Sequence, residues 1–340
     1  MKRSDFPKAV SDFLTVYLPN QRNFSKNTIA SYCDTFRLLL TYLSAEKNMS
    51  ADKMTLKQLD KKCVLSFLDW LIEKRNCSVS TYNQRLACIH SFFRFIQPEH
   101  PELLSECQKI IGISFKRKSA PVVSYLSADE MKLLLHQPDQ SKKAGRRDLA
   151  LLLLLYDTGA RVQELADLTV SSVRLEAPAQ VTLFGKGRKK RAVPLISNTV
   201  AVIDQYIKEN RLNEPHKMQY PLFTNHRNEK LTRAGISYIL KKYADMARNA
   251  NPNFPENVTP HILRHSKAMH LLEAGVNVVY IRDILGHSDV STTEIYARAN
   301  LSMKKAALEK AANIASVEAP SWTTDAPLME WLSSFGKSLT

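Results

Sequence analysis

Between Thr259 and Arg298 the chain collects His261, Arg264, His265, His287 and Tyr296, a set of cations, imidazoles and a phenol in one polar stretch. Side chains of these types suit a phosphate: guanidiniums hold its oxygens, imidazoles move or share protons, and a phenol can attack phosphorus. Upstream, Arg161 follows the turn Asp157-Thr158-Gly159-Ala160, and Lys186 sits in Gly185-Lys186-Gly187. Taken singly, each residue has a plainer reading. A histidine near a helix start is usually a cap or a solvated group, a tyrosine is usually half-buried core, and Arg264 could pair with Glu273 or Asp283. The recurrence of the same chemistry in three separate stretches shifts the balance towards a site.

The spacing predicts what must position these groups. Thr259 suits a helix cap and Pro260 its first turn, with Ile262, Leu263, Met269, Leu271 and Leu272 as an apolar stripe ending at Gly275. That puts His261 and Arg264 at i and i+3 near a positive helix end that favours anions. Val278, Val279, Ile281, Ile284 and Leu285 predict a second helix stopped by Gly286, and Ser291 would cap a third, short one carrying Tyr296. Leu149 to Tyr156 is a buried apolar run, Gly159 permits close backbone approach, and Arg161 would open a new short helix pointing inward. Val181–Phe184 and Arg191–Leu195 read as β-strands joined by a basic hairpin with Lys186 at its tip. Alone, that loop is only a solvated basic turn, and it lacks the spacing of a Walker A phosphate loop.

In this order and spacing, Thr158-Gly159-Ala160-Arg161-Val162-Gln163-Glu164-Leu165, Gly185-Lys186-Gly187, His261-Ile262-Leu263-Arg264-His265, Leu285-Gly286-His287 and Tyr296 resemble the active-site boxes of the tyrosine recombinase (phage integrase) family. The resemblance runs over roughly residues 125 to 300, with a weaker match before that. Several boxes in order are far more specific than any one of them.

The rest of the chain is consistent with two domains. Its 340 residues exceed one ordinary domain, and 44% hydrophobic with 24% charged residues is a soluble globular composition. Only 9 glycines favour helices over a glycine-rich β architecture. A net charge of +15 points to a polyanion, and no apolar run is long enough to span a bilayer. The N-terminus lacks the apolar core of a signal peptide. Five cysteines without a C-x-x-C pair fit a reducing cytoplasm and argue against a conventional zinc site. Residues 5 to 111 read as four amphipathic helices, the first broken at Pro19 and the last stopped at Pro98. Their basic residues Lys26, Lys74, Arg75, Arg85 and Arg94 lie between apolar positions. The expected fold is mainly α with a small β-sheet. The expected domains are a helical bundle over 1–112, a basic linker over 113–125, a second domain over 126–315 opening on a Ser127-x-x-Glu130 capping box, and a tail over 316–340. Beyond the bundle, Lys230, Arg233, Lys241, Lys242 and Arg248 are candidate phosphate contacts. Met303 to Ile314 reads as a further helix, and the apolar patch Leu328, Met329, Trp331, Leu332 and Phe335 needs a surface to cover it.

The resemblance implies the rest. The bundle would be the SAM-like core-binding domain, gripping one side of double-stranded DNA, and the remainder the catalytic domain. Arg161 and Arg264 would clamp the scissile phosphate, Tyr296 would attack it, and His261 would accept or share the phenol proton. His287 would hold the phosphate and Lys186 would protonate the departing 5′ oxygen. A 3′-phosphotyrosyl link keeps the bond energy, so neither metal nor other cofactor is required. Glu164 would buttress an arginine, and His265 would take no direct part. A homotetrameric synaptic complex is implied, with accessory DNA-bending or directionality proteins as further partners; the tail would fold back on its own domain or, the preferred reading, dock on a neighbouring protomer. Because the chain opens almost at the bundle and carries a long tail, a mobile-element recombinase is expected over an arm-binding integrase or a chromosome-dimer resolvase. Three other classes compete: a type IB topoisomerase, a helix-turn-helix regulator that never cuts, and a metal enzyme using His261, His265 and His270.

Overall fold

The computed structural model describes residues 5–117, 123–185 and 189–286, together with 330, 334 and 335. It divides into two units, residues 1–121 and 122–340. The protein is mainly α-helical with one small β-sheet, as the apolar periodicity predicts. Among the described residues no helix is long and apolar enough to cross a membrane.

The first unit is a helical bundle. Helix α1 (Asp5–Asp12) runs into a π-helical stretch, Phe13–Gln21, that contains Pro19. The expected break at Pro19 does not occur, since the wide turn relieves the carbonyl clash a proline imposes on a regular helix. Burial of Phe13 and Leu18 holds the stretch in place. Helices α2 (Lys26–Lys47), α3 (Lys61–Glu73) and α4 (Val79–Glu99) each begin on a side-chain cap, Ser25, Asp60 and Ser78 respectively. A fifth helix, α5 (Leu104–Ile111), follows where the sequence pattern predicts only four. It is short, and its buried face is carried by Cys107 and Ile110 alone. The core is aromatic, with Phe13, Phe36 and Phe92 in mutual contact. Several basic residues serve the bundle itself. Arg85 donates to the Ser31 carbonyl and the Thr35 hydroxyl, and Arg75 stacks over Trp70. All five cysteines are free thiols.

The second unit opens with the predicted capping box on Ser127 and Glu130, which starts α6 (Ala128–Leu135). The central helix α7 (Lys143–Thr158) is buried along Leu149–Leu155 and stops at Gly159, whose φ is 55°. After the short α8 (Val162–Ala166) come β1 (Val173–Arg174), β2 (Gln180–Phe184) and β3 (Lys190–Pro194), an antiparallel sheet in the order β1-β2-β3. Phe184 pairs with Lys190, and beyond that pair the Gly185 N–H donates to the Lys189 carbonyl at 2.8 Å. Helices α9 (Ser197–Glu209), α10 (Arg233–Ala250), α11 (Pro260–Glu273) and α12 (Val278–Leu285) complete the described part. The core gathers α7 with the inward residues of the sheet, α9 and α10. A smaller cluster of Ala268, Met269, Leu272, Ile281 and Leu285 joins α11 to α12. Lys186, His287, the short helix carrying Tyr296, the helix from Met303 and the tail patch lie outside the described residues, apart from exposed Glu330, Ser334 and Phe335.

Candidate active site

Helix stops build the site. Gly159 ends α7 in the left-handed region, and a Cβ there would meet the Leu285 side chain at 2.5 Å, so glycine is required both by conformation and by space. Gly286 ends α12 at a φ of 66°, so two chain reversals meet. Arg264, on α11, ties them together: Nη1 donates to the Gly159 carbonyl and Nη2 to the Leu285 carbonyl, each at 2.6 Å. It is buried, 4% exposed; nearby, Tyr125 donates to Glu273, and Arg282 pairs with Asp283.

Arg161 occupies the cap position of α8. Its backbone N–H donates to Glu164 Oε2 at 2.9 Å, its Nη1 to Glu164 Oε1 at 2.8 Å, and its Nη2 to the Gly286 carbonyl at 3.3 Å. Arg161 and Arg264 thus reach the same α12 terminus from separate elements, and Arg161 keeps 35% of its side chain exposed. His261 stands exposed in the first turn of α11, behind the Thr259 cap. His265 lies deeper; burial, with the charges of His261 and Arg264, holds its pKa below the usual imidazole value. His270 shares a hydrogen bond with the Tyr156 hydroxyl at 2.8 Å. Among the described residues no group of His, Cys, Asp or Glu side chains could hold a metal ion. Three of the candidate phosphate contacts are engaged within the protein, among them Lys242, which donates to the Tyr243 hydroxyl at 3.3 Å. Lys230 pairs with Asp167, and Arg248 donates to the Pro255 and Glu256 carbonyls.

The model of the phage integrase family matches residues 124–303, and that of the phage integrase N-terminal SAM-like domain matches residues 12–100. The chain belongs to the phage integrase family. Its relatives include a putative integrase/recombinase y4rC of Sinorhizobium fredii, 37% identical over 91% of this chain and 92% of the relative. A tyrosine recombinase XerD of Listeria monocytogenes is 34% identical over 84% of this chain and 92% of that one. Among solved structures, a Tn1549 transposon integrase in complex with transposon right end DNA is similar in fold. Its TM-score is 0.66 at 18% identity, over 89% of this chain and 99% of that one. This phage integrase family member is a tyrosine-type site-specific recombinase.

The site holds one residue that sequence reasoning missed. Arg191, on β3, is 12% exposed at its side chain and grips both oxygens of Glu164, at 3.0 Å and 2.6 Å. Its Nε donates to the Ile284 carbonyl at 2.9 Å. The signal was available in the strand period: Arg191 shares the inward face with buried Val193, so a charge at that position must find a buried partner. Glu164 therefore serves two guanidiniums, which leaves these three side chains one positive charge in excess. The net charge of this cluster thus has the sign an anion requires.

Burial pushes the Glu164 carboxyl up, but hydrogen bonds from Arg191 and from the Arg161 N–H outweigh it and hold the group below the usual carboxylate range. Its stabilising contribution is therefore complete above the unfolded value of about 4.3 and is lost as pH falls through the lower folded value. Glu164→Gln is expected to lower the protein's stability at neutral pH and to flatten its loss below about pH 4.3. Urea unfolding at a series of pH values measures this, and parallel acid limbs for both proteins would contradict it.

Proposed function

We propose that the protein cuts and rejoins double-stranded DNA through a 3′-phosphotyrosyl intermediate, in the integration or excision of a mobile element. In this reading the Tyr296 oxygen attacks phosphorus, the bond to the 5′ oxygen breaks, and that oxygen takes a proton from Lys186. The phenol proton passes to His261 or is shared with it, and His287 holds the phosphate. Arg161 and Arg264 stabilise the charge that spreads over the non-bridging oxygens. The observation that carries this reading is the convergence of Arg161 and Arg264 on the turn that ends in Gly286, the residue before His287. Energy held in the phosphotyrosyl link makes rejoining possible without a cofactor.

Residues 1–112 are read as the core-binding domain, 113–125 as the basic linker, 126–315 as the catalytic domain, and 316–340 as a segment that docks on a neighbouring copy in a tetramer. The positive balance of +15 supports a phosphate-dominated grip. DNA affinity is expected to fall by about 10³–10⁵ between about 50 and 200 mM salt if 6–10 phosphates are contacted. A salt titration of binding that stays flat would remove the electrostatic grip from the reading.

The similarity to a protein named integrase/recombinase supports the mobile-element role. A second reading, resolution of chromosome dimers, is favoured by relatives named XerC and XerD at 33–34% identity. Incubating the protein with the DNA that flanks its own gene, resolving covalent adducts by denaturing electrophoresis and mapping the attached phosphate separates them. Attachment at the boundaries of a discrete flanked segment supports the mobile element. Attachment only at a chromosomal site elsewhere supports resolution, and no adduct on either DNA rejects both.

A further inference from the structure

Three features of the site have no part yet in the reaction: the two-pronged grip of Arg191 on Glu164, the bond from Arg191 to the Ile284 carbonyl, and the glycines on either side. A Cβ on Gly286 would lie 2.8–3.1 Å from Nη1, Cδ and Cζ of Arg191. A Cβ on Gly185 would lie 3.3 Å from Glu164 Oε1 and 3.6 Å from Arg191 Nη1. The Glu164–Arg191 pair is thus packed between the hairpin strand end and the α12 terminus, with no room for a side chain at Gly286 and little at Gly185.

Without Arg191, Arg161 and Glu164 would form an i,i+3 pair, with the arginine 35% exposed and able to swing. The fork of Arg191 fixes the plane of the carboxylate, because two parallel N–H donors must meet both oxygens. That plane decides where Oε1 directs Arg161 Nη1. Charge matters as well. A carboxylate shared between two guanidiniums neutralises neither, so Arg161 keeps more of its pull on an anion than it would in a closed pair with Glu164. We propose that Arg191 is a positioning residue for strand cleavage: through Glu164 it aims the Arg161 guanidinium and preserves its charge for the scissile phosphate. This inference rests on the reading of Arg161 as a phosphate clamp.

Single-turnover cleavage of a nicked half-site tests it, with the ordinary phosphate and with a methylphosphonate at the scissile position, where a methyl group replaces one charged oxygen. Neutralising the phosphate removes most of the demand on Arg161. Arg191→Gln is expected to slow cleavage of the phosphate substrate by roughly 10-fold or more, less than the ~10²–10³-fold of losing a direct donor. DNA affinity should be unchanged, and the deficit should shrink markedly on the methylphosphonate. Arg191→Lys, which keeps the charge but cannot make the two-pronged bond, is expected to fall between parent and Arg191→Gln. Where Arg191→Gln melts too low to assay, the lysine variant makes the same comparison. An equal deficit on both substrates, or a loss of DNA binding in step with cleavage, makes Arg191 a scaffold residue and overturns the proposal. Arg161→Ala is the control. If it cleaves the phosphate substrate like the parent, the clamp reading falls and this inference with it. If it is relieved by the methyl group while the Arg191 variants are not, the inference alone falls.

Discussion

Tyr296→Phe is expected to abolish the covalent protein–DNA adduct and all recombination, with DNA binding left at the parent level. The substitution removes one oxygen and nothing else, so a reaction that needs that oxygen as nucleophile stops, while the positive surface that holds phosphates is untouched. A free phenol ionises near pH 10, so attack at neutral pH requires neighbouring cations. The cluster of Arg161, Arg191 and Glu164, with its excess positive charge, and buried Arg264 are suited to supply that environment. Other phenols are accessible: Tyr280 on α12 is 66% exposed and Tyr238 on α10 is 72% exposed. Tyr280→Phe and Tyr238→Phe are expected to keep the adduct. Electrophoresis of a labelled, nicked half-site under denaturing conditions gives the answer directly. An adduct that persists in Tyr296→Phe and vanishes in Tyr280→Phe would transfer the nucleophile to α12.

Local chemistry accounts for what was legible in the sequence. Thr259 and Pro260 start α11, Ser127 and Glu130 start α6, and Gly159 and Gly286 stop α7 and α12, because caps and left-handed stops depend only on neighbours in the chain. The same locality explains the misses. The partners of Arg264 are carbonyls 105 and 21 residues away, and Arg191 meets Glu164 across 27 residues. No spacing rule reaches that far. Pro19 reads as a break because the rule for proline assumes a regular helix, and the π-helical turn escapes that assumption. Helix α5 was missed because a turn or two with Cys107 and Ile110 inward is too short for its period to stand out. Glu164, by contrast, was legible as a buttress, since its link to Arg161 spans a single helical turn.

The two boxed arginines should separate when each is replaced. Arg161→Ala removes a side chain that is 35% exposed, and its partner Glu164 keeps the two-pronged bond from Arg191. Cleavage is therefore expected to fall by about 10²–10³-fold with little change in melting temperature. Arg264→Ala is different, because its guanidinium donates to the carbonyls of Gly159 and Leu285 in the interior. Each carbonyl left without a partner costs about 1–3 kcal/mol, and the total is a large part of a typical stability of about 5–15 kcal/mol. Arg264→Ala should lose cleavage and also lower the melting temperature by several degrees, whereas Arg264→Lys, which can reach one carbonyl, should recover part of the stability but little of the cleavage. Thermal unfolding alongside single-turnover cleavage for all three variants checks this, and an Arg264→Ala protein that melts like the parent would disprove it. The physical reason for the contrast is position. Arg161 projects from a cap at the edge of the site, held by a carboxylate that has a second partner. Arg264 closes the two turns that define the site, so its charge cannot be removed without loosening the backbone against which the phosphate would be held.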